Sequence, residues 1–190
     1  MPFSNYVATL FLSANLLAAE PSAEQIRFCE SLAADGLSQP APASRTLRLD
    51  GLSIEVDIPE NFRAMRTYGN AVSILAPEEY DHMQCINEIQ LRGDPVFVEI
   101  ALRQDEPTSE ALIRSQSGDR IGPQFLGEAV IDGQPAFIYA DIGGMTDGLV
   151  VRINYPDREA SLVMWTPLEE GNKVPMEETL RRMLASIRFL

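Results

Sequence analysis

The chain has 190 residues, of which 45% are hydrophobic and 23% charged, so it can bury a core and wholesale disorder is disfavoured. This length favours one domain with extensions. The formal net charge is −13, from 28 acidic and 15 basic residues, which argues against nucleic acid as a partner and against binding to anionic membranes. A protein partner with a basic surface fits this charge, and so does a plain role in solubility.

The first element is an uncharged stretch, "YVATLFLSANLLAA", which ends at Ala19. It is too short to span a bilayer and matches the apolar part of a secretory signal, with small residues for cleavage near Ala19. Against a signal, "MPFSN" carries no Lys or Arg and Leu17 would occupy the −3 position. Residues 1–19 are therefore interpreted as a signal peptide for export to the periplasm or thylakoid lumen, or else as the N-terminal helix of a cytoplasmic protein.

An N-terminal helical extension follows at residues 20–37. Ser22 and Gln25 fit a capping box, and Gly36 stands where a C-terminal glycine cap is expected. Residues 38–44, "SQPAPAS", are rich in Pro, Ala and Ser and are interpreted as a linker. A single domain is therefore expected over residues 45–190.

This domain reads mainly as strands. Asp50-Gly51, Gly69-Asn70 and Asp132-Gly133 each separate two strand-like runs, which predicts three hairpins. A short helix is expected from Pro107, between two strands. No fixed-period repeat and no glycine-rich strand-to-helix turn for a dinucleotide is visible, so no cofactor is expected. The expected fold is α+β, an antiparallel sheet of about six or more strands flanked by helices.

The last predicted element is an amphipathic helix that begins at Pro175, a residue suited to the first helical position. Arg188 is placed at its C-terminal end, where a positive charge complements the helix dipole. Its apolar stripe, which predicts one buried face, consists of Met176, Leu180, Met183, Leu184 and Ile187.

Three stretches carry a family resemblance. They are "GLSIEVDIPENF", "VIDGQPAFIYAD" and the terminal helix that ends in "ASIRF". Together with the order of elements, they make residues 52–190 similar to the PsbP-like (Mog/PsbP) α+β superfamily. The resemblance implies a binding, assembly or accessory protein without enzymatic activity. It supplies no functional residue, because that family has no universal site.

The stretch "EYDHMQCINE" holds the only histidine, His82, and one of the two cysteines, Cys85. On a helix this spacing places both side chains on one face, which allows a thiol–imidazole pair. A closed zinc site would need a carboxylate besides His82, Cys85 and Cys29. Ordinary packing in a half-buried loop or short helix is the main interpretation, and no metal site is expected. In an exported protein Cys29 and Cys85 could form a disulfide.

Two further features are candidates for partner contacts. Gly143, Gly144 and Gly148 lie with Asp147 in a wide loop between strands, and no helix follows to make a phosphate site. Trp165 ends a predicted strand, where it either packs in the sheet or anchors a binding groove.

The function expected from these observations is that of a non-enzymatic binding or assembly protein. It would serve the bacterial envelope or a photosynthetic complex through contacts with a protein partner that has a basic surface. Two alternatives remain at this stage: a cytosolic adaptor or immunity-type inhibitor, and a small hydrolase that uses His82 and Cys85. The oligomeric state stays open, and no transmembrane span is expected.

Overall fold

A computed structural model describes residues 21–32, 37–89, 96–104, 109, 113, 122–143, 147–168 and 173–190. This part of the chain contains ten strands and three helices. The helices are α1 (Ala23–Glu30), α2 (Pro77–Glu88) and α3 (Lys173–Ser186). The strands are β1 (Ser44–Leu49), β2 (Ile54–Pro59), β3 (Arg63–Arg66), β4 (Val72–Leu75), β5 (Phe97–Arg103), β6 (Gly122–Ile131), β7 (Gln134–Ile142), β8 (Gly148–Asn154), β9 (Ser161–Pro167) and β10 (Arg188–Phe189).

The strands form two antiparallel sheets. A large sheet has seven strands in the order β3-β4-β5-β9-β8-β7-β6, and a small sheet has the order β1-β2-β10. The predicted antiparallel α+β architecture is confirmed. The small separate sheet was not predicted, because short strands of either sheet look alike in sequence.

The core lies where α3, β2 and one face of the large sheet meet. Ile54, Val56 and Ile58 of β2 are fully buried, while the residues between them are half-buried. This alternation sends one side of β2 toward α3, which also contacts β5 and β9. We call the side of the large sheet that faces α3 the inner face and the opposite side the outer face.

The C-terminal helix buries the predicted stripe. Four of its five members are at most 4% exposed, and the fifth, Leu184, is half-buried against the core. The prediction for Arg188 was wrong: α3 ends at Ser186, and Arg188 belongs to β10, opposite Glu55 of β2. The backbone pairing to β2 therefore replaces the last helical turn.

All three predicted hairpins are present, but their turns differ. Asp132 and Gly133 have φ values of 47° and 76° and form the expected tight turn between β6 and β7. Gly69 and Asn70, at 70° and 69°, turn the chain between β3 and β4. The Asp50-Gly51 turn is longer than two residues, because a 3₁₀ turn continues to Leu52 and Ser53 takes the left-handed conformation.

The N-terminal extension is attached to the domain at several points. The predicted capping box is confirmed, with Ser22 and Gln25 each donating a backbone N–H to the other's side chain. Within the Pro-rich stretch, Ser38 donates from its N–H and its hydroxyl to the carboxylate of Glu78. Ala41 donates its N–H to Asn61 Oδ1 at 2.8 Å. These bonds fix the stretch along the domain surface.

Some predicted elements lie outside the described residues. Residues 1–19 are among them, and so is Gly36. Of the helix expected from Pro107, the structure describes only Ser109 and Ile113; Ile113 is helical, 2% exposed, and donates its N–H to the Ser109 carbonyl at 3.1 Å.

Candidate functional site

The stretch that holds His82 and Cys85 is helix α2. Pro77 stands in its first turn together with Glu78, as is common at a helix start. The Sγ atoms of Cys85 and Cys29 lie 2.04 Å apart and form a disulfide that joins α2 to α1. A cysteine in a disulfide has no thiolate, so in this state Cys85 offers no nucleophile to pair with His82.

The environment of His82 is otherwise that of a packed helix. Its Nδ1 is buried and has no hydrogen-bond partner in the described part of the chain. Burial raises the pKa of Glu79 one turn earlier, while the nearby His82 and the Val96 N–H oppose this shift. Glu79 and His82 thus lie in a partly desolvated region beneath α2, and among the described residues no group bonds His82 Nδ1 to orient the imidazole for catalysis.

Neither a metal cluster nor a membrane-spanning helix is found among the described residues. No group of three or more His, Cys, Asp or Glu side chains lies close enough together there to hold a metal ion. None of the described helices combines the length and apolar character that crossing a bilayer requires.

The outer face of the large sheet carries the other candidate residue, Trp165. It lies in β9, an interior strand, and is half-buried. Its indole lies across Gly148 of the neighbouring strand β8: a Cβ added to Gly148 would stand 1.9 Å from Trp165 Nε1. Phe97 packs at its other side, with ring centroids 5.4 Å apart. Gly148 and Phe97 together determine where the indole lies.

Trp165 lines a cleft of about 350 Å³ in this face, the outer-face cleft. Its floor is apolar and includes Val150, which is 3% exposed. Strand register explains the walls, because Val150 stands opposite both Trp165 of β9 and Tyr139 of β7. The aromatic and charged side chains that line the cleft are Glu99, Arg103, Tyr139, Asp141, Arg152 and Trp165.

The charges in the cleft differ in how well they are paired. Arg152 donates to Ser161 Oγ from two nitrogens, at 2.9 and 3.3 Å. Burial raises the pKa of Glu99, and the positive charge of Arg103 only partly opposes it. Burial also raises the pKa of the Tyr139 hydroxyl, against the nearby Arg152 guanidinium. The cleft therefore holds partly desolvated groups of both signs.

The predicted partner-contact loop adjoins the cleft. Gly143, at φ 83°, donates its N–H to Asp147 Oδ1 at 2.8 Å, and the Asp147 carbonyl accepts from Leu168 just beyond β9. Asp147 directly precedes Gly148, so the loop lies at the end of the sheet where Trp165 packs. Gly144 is outside the described residues. Gly148 itself is not a loop residue but begins strand β8.

The fold is similar to that of known protein structures. The structure is similar to the solution structure of cyanobacterial PsbP (CyanoP) from Synechocystis sp. PCC 6803, with a TM-score of 0.44 and 10% identity. The match covers 83% of this chain and 97% of that one. No family model and no curated protein matches the sequence. The likeness concerns the course of the backbone.

Trp165 was a candidate from the sequence, whereas most of the residues that surround it were not. Glu99 interrupts "PVFVEIAL" and Arg152 interrupts "DGLVVRINY", two runs that are otherwise mostly apolar. A charge in such a run indicates a strand whose second face is only partly covered. That signal could have placed both residues on one face, although it cannot bring together the distant strands that form the cleft.

Proposed function

We propose that the protein is a non-enzymatic binding or assembly protein that contacts a protein partner through the outer-face cleft, with Trp165 as its anchor. One observation carries this proposal: a half-buried tryptophan stands in the middle of a sheet face, held in place by a glycine that could bear no side chain there. Trp, Tyr and Arg dominate the energetics of protein interfaces, and the cleft presents all three.

Charge and the disulfide support the class of partner and the compartment. The net charge of −13 favours a partner with a basic surface and speeds its approach. The Cys29–Cys85 disulfide would persist only in an oxidising compartment, which favours an exported protein of the bacterial envelope or a photosynthetic complex. In such a setting the native chain would begin near Glu20, and mass spectrometry of its N-terminal peptide would detect that start.

The test of the partner contact is capture with matched variants. Wild-type protein immobilised in non-reducing buffer is exposed to an envelope extract, next to Trp165→Ala and Trp165→Phe. Phe28→Ala is the control, because Phe28 is a large apolar side chain that is 61% exposed on α1, outside the cleft. Bound proteins are identified by quantitative mass spectrometry.

We expect one stoichiometric partner that wild type and Phe28→Ala retain, that Trp165→Phe retains partly and that Trp165→Ala loses. Circular dichroism and the urea midpoint establish that each variant is folded. A folded Trp165→Ala variant that captures the same partner in the same amount would show that the cleft is not the contact site.

A further inference from the structure

We infer that the occupant of the outer-face cleft is an arginine side chain of the partner protein, stacked on Trp165 and paired with Asp141. This inference rests on the proposed function and specifies the chemistry of the same site. Some groups of the cleft already have partners inside the molecule, and others do not.

The positive groups of the cleft are largely occupied. Arg152 bonds Ser161 Oγ and Tyr139, and Arg103 lies near Glu99 on the same strand face, four residues away. An acidic group of a partner would have to compete with these contacts. The cleft is for this reason poorly suited to bind an anion.

The negative and aromatic groups are available. Asp141 is exposed and makes no hydrogen bond or ion pair with any described residue. The indole N–H of Trp165 is likewise without a hydrogen bond in that part of the chain. A carboxylate and an aromatic face are the two groups that a cation binds.

Strand register brings these two groups together. Asp141 stands directly opposite Gly148, so their Cβ positions are about 5 Å apart. The indole of Trp165 covers Gly148. The carboxylate therefore emerges at the edge of the indole ring, and a group resting on the ring can reach it.

A guanidinium fits this arrangement better than an ammonium does. It is planar, stacks on aromatic rings and presents a fork of N–H donors to a carboxylate, and it is more weakly hydrated than the lysine ammonium. The net charge of −13 adds long-range attraction for a basic segment of a protein. A partner arginine is thus the side chain that the shape and the charge of the cleft match together.

The experiment uses the full chain and three blocked pentapeptides, Ac-Gly-Gly-X-Gly-Gly-NH₂, in which X is arginine, citrulline or lysine. Trp165 is the only tryptophan, so its indole N–H gives one NMR resonance and its emission needs no label. Each peptide is titrated into the wild type, Asp141→Asn and Asp157→Asn. Asp157 is an exposed aspartate in the β8–β9 turn, at the other end of β8, and controls for net charge.

We expect the arginine peptide to shift the Trp165 resonance saturably, with a dissociation constant in the millimolar range. Citrulline, the uncharged analogue of arginine, should bind at least about tenfold more weakly, and lysine should bind more weakly than arginine. Asp141→Asn should weaken arginine binding about tenfold, while Asp157→Asn leaves it unchanged.

Three results would overturn the inference: no saturable shift with arginine, equal binding of arginine with citrulline or lysine, or equal loss in the two aspartate variants. None of these results touches the capture experiment. A partner that Trp165→Ala loses while the arginine peptide fails would leave the proposed function standing and refute only the arginine. Conversely, peptide binding without any Trp165-dependent partner would count against the proposed function.

Discussion

The disulfide between Cys29 and Cys85 offers the most quantitative test of the structure. The two cysteines are 56 residues apart in sequence, and the loop that they close contains β1 to β4 and most of α2. A cross-link of this separation removes conformational entropy from the unfolded chain. The chain-entropy relation then gives a stabilisation of about 4 kcal/mol at 25 °C.

The folded state should change little when the bond is broken. Cys29 is the only buried residue of α1, and this helix packs mainly on α2. The chain from Ser38 onward is held separately by the hydrogen bonds to Glu78. Reduction should therefore release α1 while the strands of both sheets stay paired. Most of the change in the free energy of unfolding then arises from the unfolded state.

Urea unfolding of the oxidised wild type and of the Cys29→Ala/Cys85→Ala double variant measures this stabilisation. With a slope of about 2 kcal/mol per molar urea, the midpoints should differ by about 2 M. Reductant should lower the midpoint of the wild type and leave that of the double variant unchanged. Coincident midpoints for the oxidised wild type and the double variant would refute the loop-entropy reasoning. Detection of two free thiols in the native protein would show that the bond does not form.

Three further predictions concern single side chains. Leu180→Ala should lower the free energy of unfolding by about 2–5 kcal/mol, since Leu180 is 2% exposed in the core; a urea midpoint within error of wild type would contradict the packing. Gly148→Ala should cost about 1–3 kcal/mol and shift the emission of Trp165, whereas Gly127→Ala, which has open space around its Cβ position, should leave that emission unchanged. If both variants emit like the wild type, the indole does not lie on β8. Glu99→Gln should stabilise the protein at pH 7, because burial raises the pKa of the folded carboxyl above its ordinary value of 4.5 and so disfavours its ionised form. This gain in stability should vanish as the pH falls below about 4.5, where the carboxyl is protonated in both states. A loss of stability at pH 7 would contradict the prediction.

The predictable part of the fold was local. The alternation in β2, the Asp132-Gly133 turn and the stripe of α3 each depend on neighbours a few residues away, so sequence patterns indicated them correctly. The distribution of strands between two sheets depends on contacts distant in sequence. Arg188 illustrates this dependence on distant contacts. Its local pattern predicts the end of a helix, but the pairing of β10 with β2 places it in a strand.

The candidate site shows the same division. Trp165 was a candidate for a partner contact because it is a single large aromatic residue, and the loop at Asp147 was a candidate because of its glycines. Their proximity follows from the pairing of β8 with β9, which places Gly148 beside the indole. Gly148 looks like one more loop glycine in the sequence, and only the register shows that the absence of its side chain positions Trp165.

The place of the cleft on the sheet follows from how far the described helices extend over the outer face. One row of side chains crosses this face through Met65, Ser73, Glu99 and Trp165, each opposite the next. At one end Asn87 of α2 contacts Met65, and Ser73 is 3% exposed. Glu99 and Trp165, further along the row, are half-buried and line the cleft. Burial raises the pKa of the Glu99 carboxyl at this point, and beyond Trp165 the row continues through Val150 to Tyr139 in the cleft that we propose as the contact site.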